Sequence, residues 1–474
     1  MHFVEKNLTY FESVAGNWQK YRNNHAYYWN TITDYCNYFI HPDDSVLEVG
    51  CGTGDLIGVV NGCHKTGIDF CAPFIDQASK RFPEIDFKVM SAGSLDLDRT
   101  YDVVILSNLI GLLDDIEQVF NQVRKVCHPR TRVIVTYHSN LWEPLIKFAE
   151  WVGFKRRMPE QNWLSSNDIM NLLYLAGFES YRHNRSMLVP FNIPLVSKFF
   201  NRFVSRLPLV NVFSLNQFVF ARPAPDPQPV GWEQRYSVSV VIPARNESGN
   251  IEDAVLRLPE MGKFTEIIFV EGNSTDDTWA VIQEVQSRYA GKRLIRAVQQ
   301  DGRGKGDAVR KGYAMAQGDI LMILDADLTV MPEDLPKFYH ALATGKGEFI
   351  NGVRLVYPME KGAMRSLNTI GNHFFSTLFS WLLERPIKDT LCGTKVMFRN
   401  DYQRLALNRS FFGNFDPFGD FDLIFGAYKL NLKIIDLPIR YKERQYGETN
   451  ISRFKHGLLL LKMSAFAALK IKFR

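Results

Sequence analysis

The sequence lacks the features that define several protein classes. Its six cysteines contain no CxxC pair, and the ten histidines show no paired spacing around them, so neither a disulfide framework nor a zinc site is indicated. Residues 1–20 have no apolar core after a basic start, so we expect no secretory signal. The longest apolar stretch, 457–471, is interrupted by Lys462 and is shorter than the ~20 residues that span a bilayer. These absences predict a cytoplasmic protein without a transmembrane helix.

An evenly distributed excess of positive charge is also lacking. The formal net charge is +5, yet residues 440–474 hold nine basic and two acidic side chains, a local net charge of +7. The rest of the chain therefore carries −2. A nucleic-acid-binding protein would be expected to show a basic stripe on its binding domain. We expect no nucleic-acid partner, and we attribute the C-terminal excess to the phosphates of a ligand and to a membrane surface.

The 474 residues correspond to roughly two to four domains at ~100–200 residues each. Prolines at 223, 225, 227 and 229 favour an extended, semi-rigid connector. We therefore predict one domain over 1–222, a linker over 223–235 and a second domain over 236–474. Strand-like and helix-like segments alternate on both sides of the linker, which predicts α/β domains with mainly parallel sheets.

Twelve segments have the apolar, β-branched character of buried strands. The candidates in the first half are 45–49, 66–70, 86–90, 102–107, 132–137 and 217–221. Those in the second half are 237–242, 266–270, 294–298, 320–324, 349–353 and 395–398.

A glycine-rich turn follows the first predicted strand, in the order Glu48-Val-Gly50-Cys51-Gly52-Thr-Gly54-Asp55. Glycines at such a turn let the backbone approach a ligand closely. A dinucleotide fingerprint would place its third glycine where Asp55 stands, so NAD is disfavoured. Asp69, at the end of the next strand and 19 residues after Gly50, is placed to accept hydrogen bonds from ribose hydroxyls. The pattern predicts a nucleoside cofactor.

This ExGxGxG turn with a second-strand aspartate resembles the class I S-adenosylmethionine-dependent methyltransferases over roughly residues 10–222. The resemblance implies a Rossmann-like fold in which S-adenosyl-L-methionine is lined by a small set of residues near the turn. That set is Glu48, Gly50, Cys51, Gly52 and Asp69, with Phe70 beside the adenine. The tetrapeptide of DNA amino-group methylases is missing after Asn108, which argues against a nucleic-acid acceptor.

Methyl transfer to an oxygen would need a base as well as in-line positioning. His138 and Glu143, just after the fifth predicted strand, are the candidates. The alternative for His138 is a loop-end histidine bonded to backbone. The aromatic segments 142–154 and 199–209 either shape an acceptor pocket or, as we favour, form core and cap.

Polar groups in the second half gather where predicted strands end. Asn246 and Glu247 follow the first strand, Ser274 and Asp277 have capping-box spacing after the second, and Lys305 lies in a glycine-rich turn suited to phosphate or ribose. The segment 319–327 then delivers Asp325 and Asp327, which a continuing strand would place on one face. Two such carboxylates can hold Mg²⁺ or Mn²⁺ against a diphosphate. The alternative is a pair of aspartates that cap the helix at Pro332.

Together these motifs resemble the inverting glycosyltransferases of family 2, in the branch of dolichyl-phosphate mannose and glucose synthases, over about residues 236–456. The resemblance implies a GT-A fold and a nucleotide-diphospho-sugar donor. Segments 389–395 (DTLCGTK) and 418–422 (FGDFD) also match the branch, the second as paired acids by the acceptor. The implied donor-binding residues are Pro243, Arg245, Glu247, Glu271, Asp325, Ala326 and Asp327, with the metal on Asp325 and Asp327 and the diphosphate on Arg444.

Three departures from that pattern leave the nucleotide and the donor sugar open: Glu271 replaces the usual aspartate, Thr329 stands where glutamine is common, and Asn450 stands where lysine is common. The expected reaction is a single displacement at the anomeric carbon, in which the metal, Lys305 and Arg444 stabilise the leaving diphosphate. Asp420 or Asp422 would be the base for a hydroxyl acceptor, whereas a lipid phosphate needs none. The alternative for these two acids is a solvated helix start.

Two apolar helical candidates with basic neighbours, 371–383 and 457–473, fit helices that lie in a membrane interface, or else ordinary core packing. We predict a bifunctional enzyme that binds a nucleotide-sugar donor and a lipid-phosphate or glycan acceptor, peripheral at the cytoplasmic face of a membrane. One alternative is a glycosyltransferase whose first domain only binds or scaffolds. Another is a nucleic-acid methylase with a nucleotide-sensing second domain.

Overall fold

The computed structural model describes residues 3–357, 366–409, 419–444, 446 and 453–473. It divides into two compact units, one reaching to Ala224 and the other running from Pro225 to Lys472. The proline-rich segment is not wholly a free connector. Pro223 belongs to a strand of the first unit, and the Trp232 carbonyl accepts a 2.8 Å hydrogen bond from Tyr339 within the second unit.

The first unit is built on a seven-stranded sheet in the order β3-β2-β1-β4-β5-β7-β6. All neighbouring pairs are parallel except those made by β7, which runs antiparallel to β5 and β6. The strands are β1 (Ser45–Val49), β2 (His64–Asp69), β3 (Asp86–Val89), β4 (Tyr101–Ser107), β5 (Cys127–His138), β6 (Phe178–Ser186) and β7 (Asn216–Pro223).

Eight helices accompany this sheet: α1 (Phe3–Val14), α2 (Trp18–Asn24), α3 (Ala26–Phe39), α4 (Ala72–Arg81), α5 (Ile116–Lys125), α6 (Glu143–Trp151), α7 (Ser166–Leu175) and α8 (Val196–Arg202). Helix α5 shows how sequence sets an element. Its N-cap Asp115 accepts a 2.8 Å hydrogen bond from the Gln118 amide, and its apolar face is buried in the main core.

The second unit also has a seven-stranded sheet, in the order β10-β9-β8-β11-β13-β12-β14. Strand β13 is antiparallel to both neighbours, and the remaining pairs are parallel. The strands are β8 (Val238–Ala244), β9 (Thr265–Glu271), β10 (Leu294–Gln299), β11 (Ile320–Ile323), β12 (Phe349–Val353), β13 (Lys395–Phe398) and β14 (Ile434–Pro438).

The helices of the second unit are α9 (Ile251–Arg257), α10 (Thr278–Arg288), α11 (Lys305–Met315), α12 (Leu335–Ala343), α13 (Ser366–Leu382), α14 (Arg399–Leu407), α15 (Asp420–Lys429) and α16 (Arg453–Ala467). Strands β8, β9 and β11 contribute buried side chains to one core with α9 and α12. Because these three strands are parallel, their carboxyl ends lie at one edge of the sheet, where the polar motifs are found.

All twelve predicted strands are present, with ends that differ by a few residues. The two missed strands have weak sequence patterns. Strand β6 (FESYRHNRS) is dominated by charged and polar residues, and β14 (IIDLP) is short and ends in proline. Both pair through tertiary context, β6 along β7 and β14 along β12.

Of the two apolar helical candidates, α13 packs largely into its own unit, because Phe379 lies 4.5 Å from the Phe421 ring and 4.9 Å from the Phe425 ring. Helix α16 is mixed: Met463 is buried, whereas Leu458 is exposed. Among the described residues, no helix is both long and apolar enough to cross a membrane.

Candidate active sites

The glycine turn after β1 has the backbone geometry of a ligand cradle. Gly52 has φ +53°, a left-handed conformation that glycine adopts without strain, and a Cβ at this position would meet no atom closer than 4.0 Å. The Gly52 amide donates a 2.8 Å hydrogen bond to Asp69 Oδ2. The turn and the end of β2 are therefore fixed to one another, with open space above the turn.

Asp69 orders this site through both of its carboxylate oxygens. Besides the bond from Gly52, Oδ1 accepts a 2.9 Å bond from the Cys71 amide. Burial raises the pKa of Asp69, and the backbone donors partly offset that effect. A carboxylate has about four acceptor positions, and the backbone amides of Gly52, Phe70 and Cys71 do not occupy all of them, so acceptor capacity remains for a ligand hydroxyl.

Glu48 holds the segment that follows the turn. It is buried in β1, and its Oε2 accepts a 2.9 Å hydrogen bond from the Ile57 amide. Burial raises the pKa of Glu48 to about 8, against the opposing effect of the Arg22 cation. The Arg22 guanidinium lies 3.5 Å from the Trp29 ring centroid and 3.2 Å from the Asp55 carboxylate, which extends the network into α2 and α3.

A cavity of about 730 Å³ opens over the glycine turn. This volume lies in the range of small-molecule and cofactor sites. All six residues that the sequence indicated for the cofactor line it: Glu48, Gly50, Cys51, Gly52, Asp69 and Phe70. The residues fit S-adenosylmethionine, because a turn with an open face and a carboxylate with remaining acceptor capacity stand on one wall.

The far wall of the cavity carries a polar cluster that sequence reasoning found only in part. His138 Nε2 lies 2.9 Å from the Tyr28 hydroxyl, and the Asn108 amide nitrogen lies 2.9 Å from the same oxygen. Burial, with the Lys155 cation nearby, lowers the pKa of His138 to about 3. His138 is therefore neutral at physiological pH, and its ring bonds to a side chain rather than to backbone. Glu143 instead pairs with Lys147.

The segments 142–154 and 199–209, expected to form core and cap, are buried only in part. Ile146 and Ser205 are buried, whereas Trp151, Phe199 and Leu209 are exposed. Segment 142–154 contributes to the cavity wall, which favours the acceptor-pocket alternative there, and no residue of 199–209 is among those that line the cavity.

In the second unit, the Asp325-Ala-Asp327 segment forms a turn rather than the end of a strand. Strand β11 ends at Ile323, and the Leu328 amide bonds to the Asp325 carbonyl at 3.1 Å. The argument that both carboxylates share a strand face was therefore wrong. Asp325 and Asp327 diverge toward different cations, while Ala326 between them is buried.

Each carboxylate of this turn pairs with a cation of the chain. Lys305 Nζ, at the start of α11, lies 2.5 Å from Asp325 Oδ1. Arg444 Nη2 lies 2.7 Å from Asp327 Oδ2, and its Nη1 lies 2.7 Å from Glu247 Oε1. Burial opposes the charge on Lys305, but the surrounding aspartates outweigh it and raise its pKa above the ordinary value.

The DTLCG segment brings Gly393 against this ion pair. A Cβ at Gly393 would lie 2.2 Å from both Asp325 Oδ2 and Lys305 Nζ, so any larger residue would displace them. The segment is held by Asp389, which forms a bidentate pair with Arg354 at 2.8 and 2.9 Å and accepts a 2.8 Å bond from Asn372. Although burial raises it, the pKa of Asp389 is lowered to about 2 by Arg354.

Sequence reasoning missed Arg354, although it follows β12 directly and so had the same signal, a polar residue at a strand end, as the residues that were found. The capping box predicted for Ser274 and Asp277 is wrong. Asp277 caps α10 without a side-chain bond, and the Ser274 hydroxyl accepts from the Asn246 amide at 3.0 Å.

The remaining donor-site residues lie at the carboxyl ends of β8 and β9. Pro243 is in β8, and Arg245 follows it with an exposed side chain. Glu247 is buried, and burial raises its pKa against the effect of Arg444. Glu271 accepts hydrogen bonds from the Ser274 amide at 2.5 Å and the Gln299 amide group at 3.1 Å, so its carboxylate holds the turn after β9.

The two acids of α15 occupy different surroundings. Asp420 is buried at the helix start and is one of the carboxylates that raise the pKa of Lys305. Asp422 lies beside Leu405 and Arg409, around a separate small cavity. Phe418 and Asn450, which the sequence also singled out, lie outside the described residues.

The carboxylates at this edge of the second unit fit Mg²⁺ or Mn²⁺ when phosphates of a bound substrate complete the metal's coordination. Within the described ranges, no group of three or more His, Cys, Asp or Glu side chains could enclose a metal ion. Asp325 and Asp327 supply two carboxylates at a partly open edge. Mg²⁺ is commonly bound by one or two carboxylates together with substrate phosphates, and that arrangement requires no more protein ligands than these.

Comparison with known families gives one match in each unit. Residues 46–130 match the model described as "Methyltransferase domain", and residues 239–406 match "Glycosyl transferase family 2". The first match contains the glycine turn, and the second contains the Asp325–Asp327 turn and Lys305. The chain therefore has two α/β domains, a Rossmann-like methyltransferase domain followed by a GT-A glycosyltransferase domain.

Two curated relatives match the second unit. A dolichol-phosphate mannosyltransferase of Pyrococcus furiosus is 29% identical over 227 residues, which are 45% of this chain and 59% of the relative. One of Saccharomyces cerevisiae is 38% identical over 109 residues, which are 22% of this chain and 40% of the relative. The chain thus spans about half the length of these relatives.

Among solved structures, glucosyl-3-phosphoglycerate synthase from Mycobacterium tuberculosis matches 52% of this chain and 85% of its own, with 18% identity and a TM-score of 0.39. A S-adenosylmethionine-dependent methyltransferase from Thermotoga maritima matches 45% of this chain and 97% of its own, with 17% identity and a TM-score of 0.35.

Proposed function

We propose that this chain, which joins a methyltransferase domain to a family 2 glycosyltransferase domain, is a bifunctional enzyme. The second domain would transfer a sugar, with inversion and with the help of Mg²⁺ or Mn²⁺, from a nucleotide-diphospho-sugar to a polyprenyl phosphate or a glycan. The first would transfer a methyl group from S-adenosylmethionine within the same glycan or glycolipid pathway.

The observation that carries the proposal is the paired arrangement of Lys305 with Asp325 and Arg444 with Asp327. Lys305 and Asp325 meet beside Gly393, where no side chain intrudes, and Asp327 of the same turn pairs with Arg444. Two cations and two carboxylates at the carboxyl edge of a sheet are the groups needed to hold a diphosphate and its metal ion.

In the proposed displacement, Lys305 and Arg444 contact the leaving diphosphate and Glu247 positions Arg444. When bound, the metal would neutralise charge on the leaving diphosphate. Lys305 and Arg444 would exchange their carboxylate partners for phosphate oxygens and so stabilise the negative charge that develops there. Glu247, which accepts from Arg444, would keep the guanidinium directed at the site.

Acceptor activation depends on the acceptor's chemistry. Asp420 lies near Lys305 and is the better candidate for a base toward a hydroxyl acceptor, whereas Asp422 lies by a separate cavity. A lipid phosphate is already ionised and needs no base. The relatives named above are dolichol-phosphate mannosyltransferases, and their names support a polyprenyl-phosphate acceptor. A reaction at the cytoplasmic face of a membrane is part of the proposal.

For the first domain, the proposal requires S-adenosylmethionine to occupy the 730 Å³ cavity against Gly52 and Asp69. His138, whose Nε2 lies 2.9 Å from the Tyr28 hydroxyl, would orient an oxygen acceptor in the same cavity by hydrogen bonding, because a group with a pKa of about 3 is a weak base at neutral pH.

Both activities can be tested on the full chain. A panel of nucleotide-sugars with Mg²⁺ or Mn²⁺ and a polyprenyl phosphate should give transfer from one donor. Titration calorimetry should give binding heat with S-adenosylmethionine. Absence of transfer with every donor and acceptor would reject the first activity, and absence of binding heat would reject the second.

A further inference from the structure

The mouth of the methyltransferase cavity is surrounded by exposed apolar side chains. We call residues 141–154 and 191–213 the apolar rim. Phe154, Leu195 and Leu209 are 87%, 86% and 87% exposed, and Trp151 and Phe213 are also largely exposed. Scattered exposed apolar residues are ordinary, whereas so many large ones in two neighbouring segments mark an interaction surface.

The two segments are joined to each other and to the cavity. Trp142 Nε1, at the start of the first segment, donates a 2.8 Å hydrogen bond to the Phe213 carbonyl at the end of the second. Leu145 and Phe154 from one segment and Phe191 from the other line the cavity itself. The exposed apolar surface is therefore continuous with the cavity wall.

The apolar rim has more basic than acidic residues. Residues 191–213 contain Lys198, Arg202 and the buried Arg206 and no acidic residue, and 141–154 contain one basic and two acidic residues, so the rim carries a net charge of +2. Three basic residues at 155–157 follow the first segment directly and raise the local net charge to +5. Because 440–474 carries +7, the remainder of the chain carries −7. The rim and the residues next to it thus form an aromatic surface with a net positive charge.

We propose that the apolar rim docks onto an anionic lipid surface with the cavity mouth toward the bilayer, so that the methyl acceptor is a lipid-borne molecule drawn from the membrane. Aromatic and aliphatic side chains enter the headgroup boundary, and basic residues bind anionic headgroups. The proposed docking depends only on the exposed surface. The identity of the acceptor as lipid-borne rests on the proposed methyl transfer.

The test is flotation of the full chain with two kinds of vesicle. One is made of phosphatidylcholine alone, and the other of phosphatidylcholine mixed with the anionic phosphatidylglycerol. The rim variant combines Trp151→Ser, Leu195→Asn and Leu209→Ser, three exposed positions outside the cavity lining. Asparagine suits position 195, where φ is +62°. The matched control combines Val230→Ser, Leu256→Ser and Leu407→Ser, which are exposed in the second unit and lie outside the apolar segments 371–383 and 457–473.

We expect the wild type to float with anionic vesicles and less with neutral ones, the rim variant to partition about tenfold or more weakly, and the control to behave as the wild type. No flotation of the wild type, or loss in the control but not in the rim variant, would overturn the proposal. So would self-association that the rim substitutions abolish, with no vesicle binding.

Calorimetry with S-adenosylmethionine separates this proposal from the preceding one. The rim variant should bind the cofactor as the wild type does. Vesicle binding by a chain that gives no heat with S-adenosylmethionine would keep the docking surface and remove the methyl acceptor. Cofactor binding without vesicle binding would remove the docking surface and leave the proposed methyl transfer standing.

Discussion

The guanidinium of Arg444 and the carboxylate of Asp327 lie 2.7 Å apart, although 117 positions separate them in the sequence. The same guanidinium bonds to Glu247. A residue from the C-terminal part of the chain thus completes a site begun at the end of β8, and its charge is held where a diphosphate would develop negative charge.

Replacement of Arg444 by lysine should reduce kcat for sugar transfer by about 10- to 100-fold, because an ammonium group cannot contact Glu247 and Asp327 in the fork geometry of arginine. Steady-state kinetics with the preferred donor measure the effect. The matched control is Arg440→Lys, an exposed arginine four residues earlier. Unchanged kcat in Arg444→Lys would show that Arg444 does not act on the leaving group.

Removal of one partner of the buried Arg354–Asp389 pair should be strongly destabilising. Arg354→Ala should lower the free energy of unfolding of the second unit by about 3–5 kcal/mol, because Asp389 is left as an uncompensated buried charge. Urea denaturation followed by the second unit's signal measures this change. A loss below 1 kcal/mol would contradict the account of this pair.

The same pair predicts a dependence of stability on pH. The pKa of Asp389 is about 2 in the folded protein, below the ordinary value of about 3.9. Its contribution, roughly 2 kcal/mol, is present above pH ~4 and is lost as the pH falls toward 2. Asp389→Asn should lack this component between pH 4 and 2. Parallel pH profiles in wild type and variant would be inconsistent with the depressed pKa.

His138 predicts a second component at higher pH. Its pKa of about 3 lies below the ordinary 6.5, so the folded protein keeps it neutral while the unfolded chain protonates. This contribution is present above pH ~6.5 and declines as the pH falls toward 3. His138→Gln, which cannot titrate, should lose less stability between pH 7.5 and 5 than the wild type does. An equal loss in thermal unfolding would count against a buried neutral histidine.

Asp69→Ala should abolish binding heat with S-adenosylmethionine, because the carboxylate both holds the Gly52 amide and supplies acceptors for the ribose. Asp86→Ala, on the exposed side of β3, is the control and should bind normally. Thermal unfolding of both variants separates lost binding from lost folding. Cofactor binding by a folded Asp69→Ala would reject the assignment.

The sequence predicted the strands, and it also identified residues that the fold brings together, because both depend on local signals. Apolar β-branched runs mark β1, β8 and β11, and polar residues at their carboxyl ends fall at one sheet edge by topology alone. The six residues predicted to bind the cofactor could be identified from the glycine turn and the end of the next strand alone. All six line the cavity.

What could not be predicted depends on long-range pairing. Strand β6 forms because β7 offers a partner, and its own charged sequence gives no sign of it. Tyr28 meets His138 across 110 positions of the sequence, and Asn108 donates to the same Tyr28 hydroxyl across 80 positions. The divergence of Asp325 and Asp327 follows from a turn that forms one residue after the buried run ends, where strand periodicity no longer applies.

The rate of sugar transfer by Asp327→Asn shows whether Asp327 belongs to a metal-diphosphate site. With saturating Mg²⁺ or Mn²⁺ and the preferred nucleotide-sugar, we predict a loss of about 10²- to 10³-fold or more relative to wild type. Asp301→Asn, an exposed acid paired with Lys311, should retain full activity. Wild-type transfer by a folded Asp327→Asn would contradict the account.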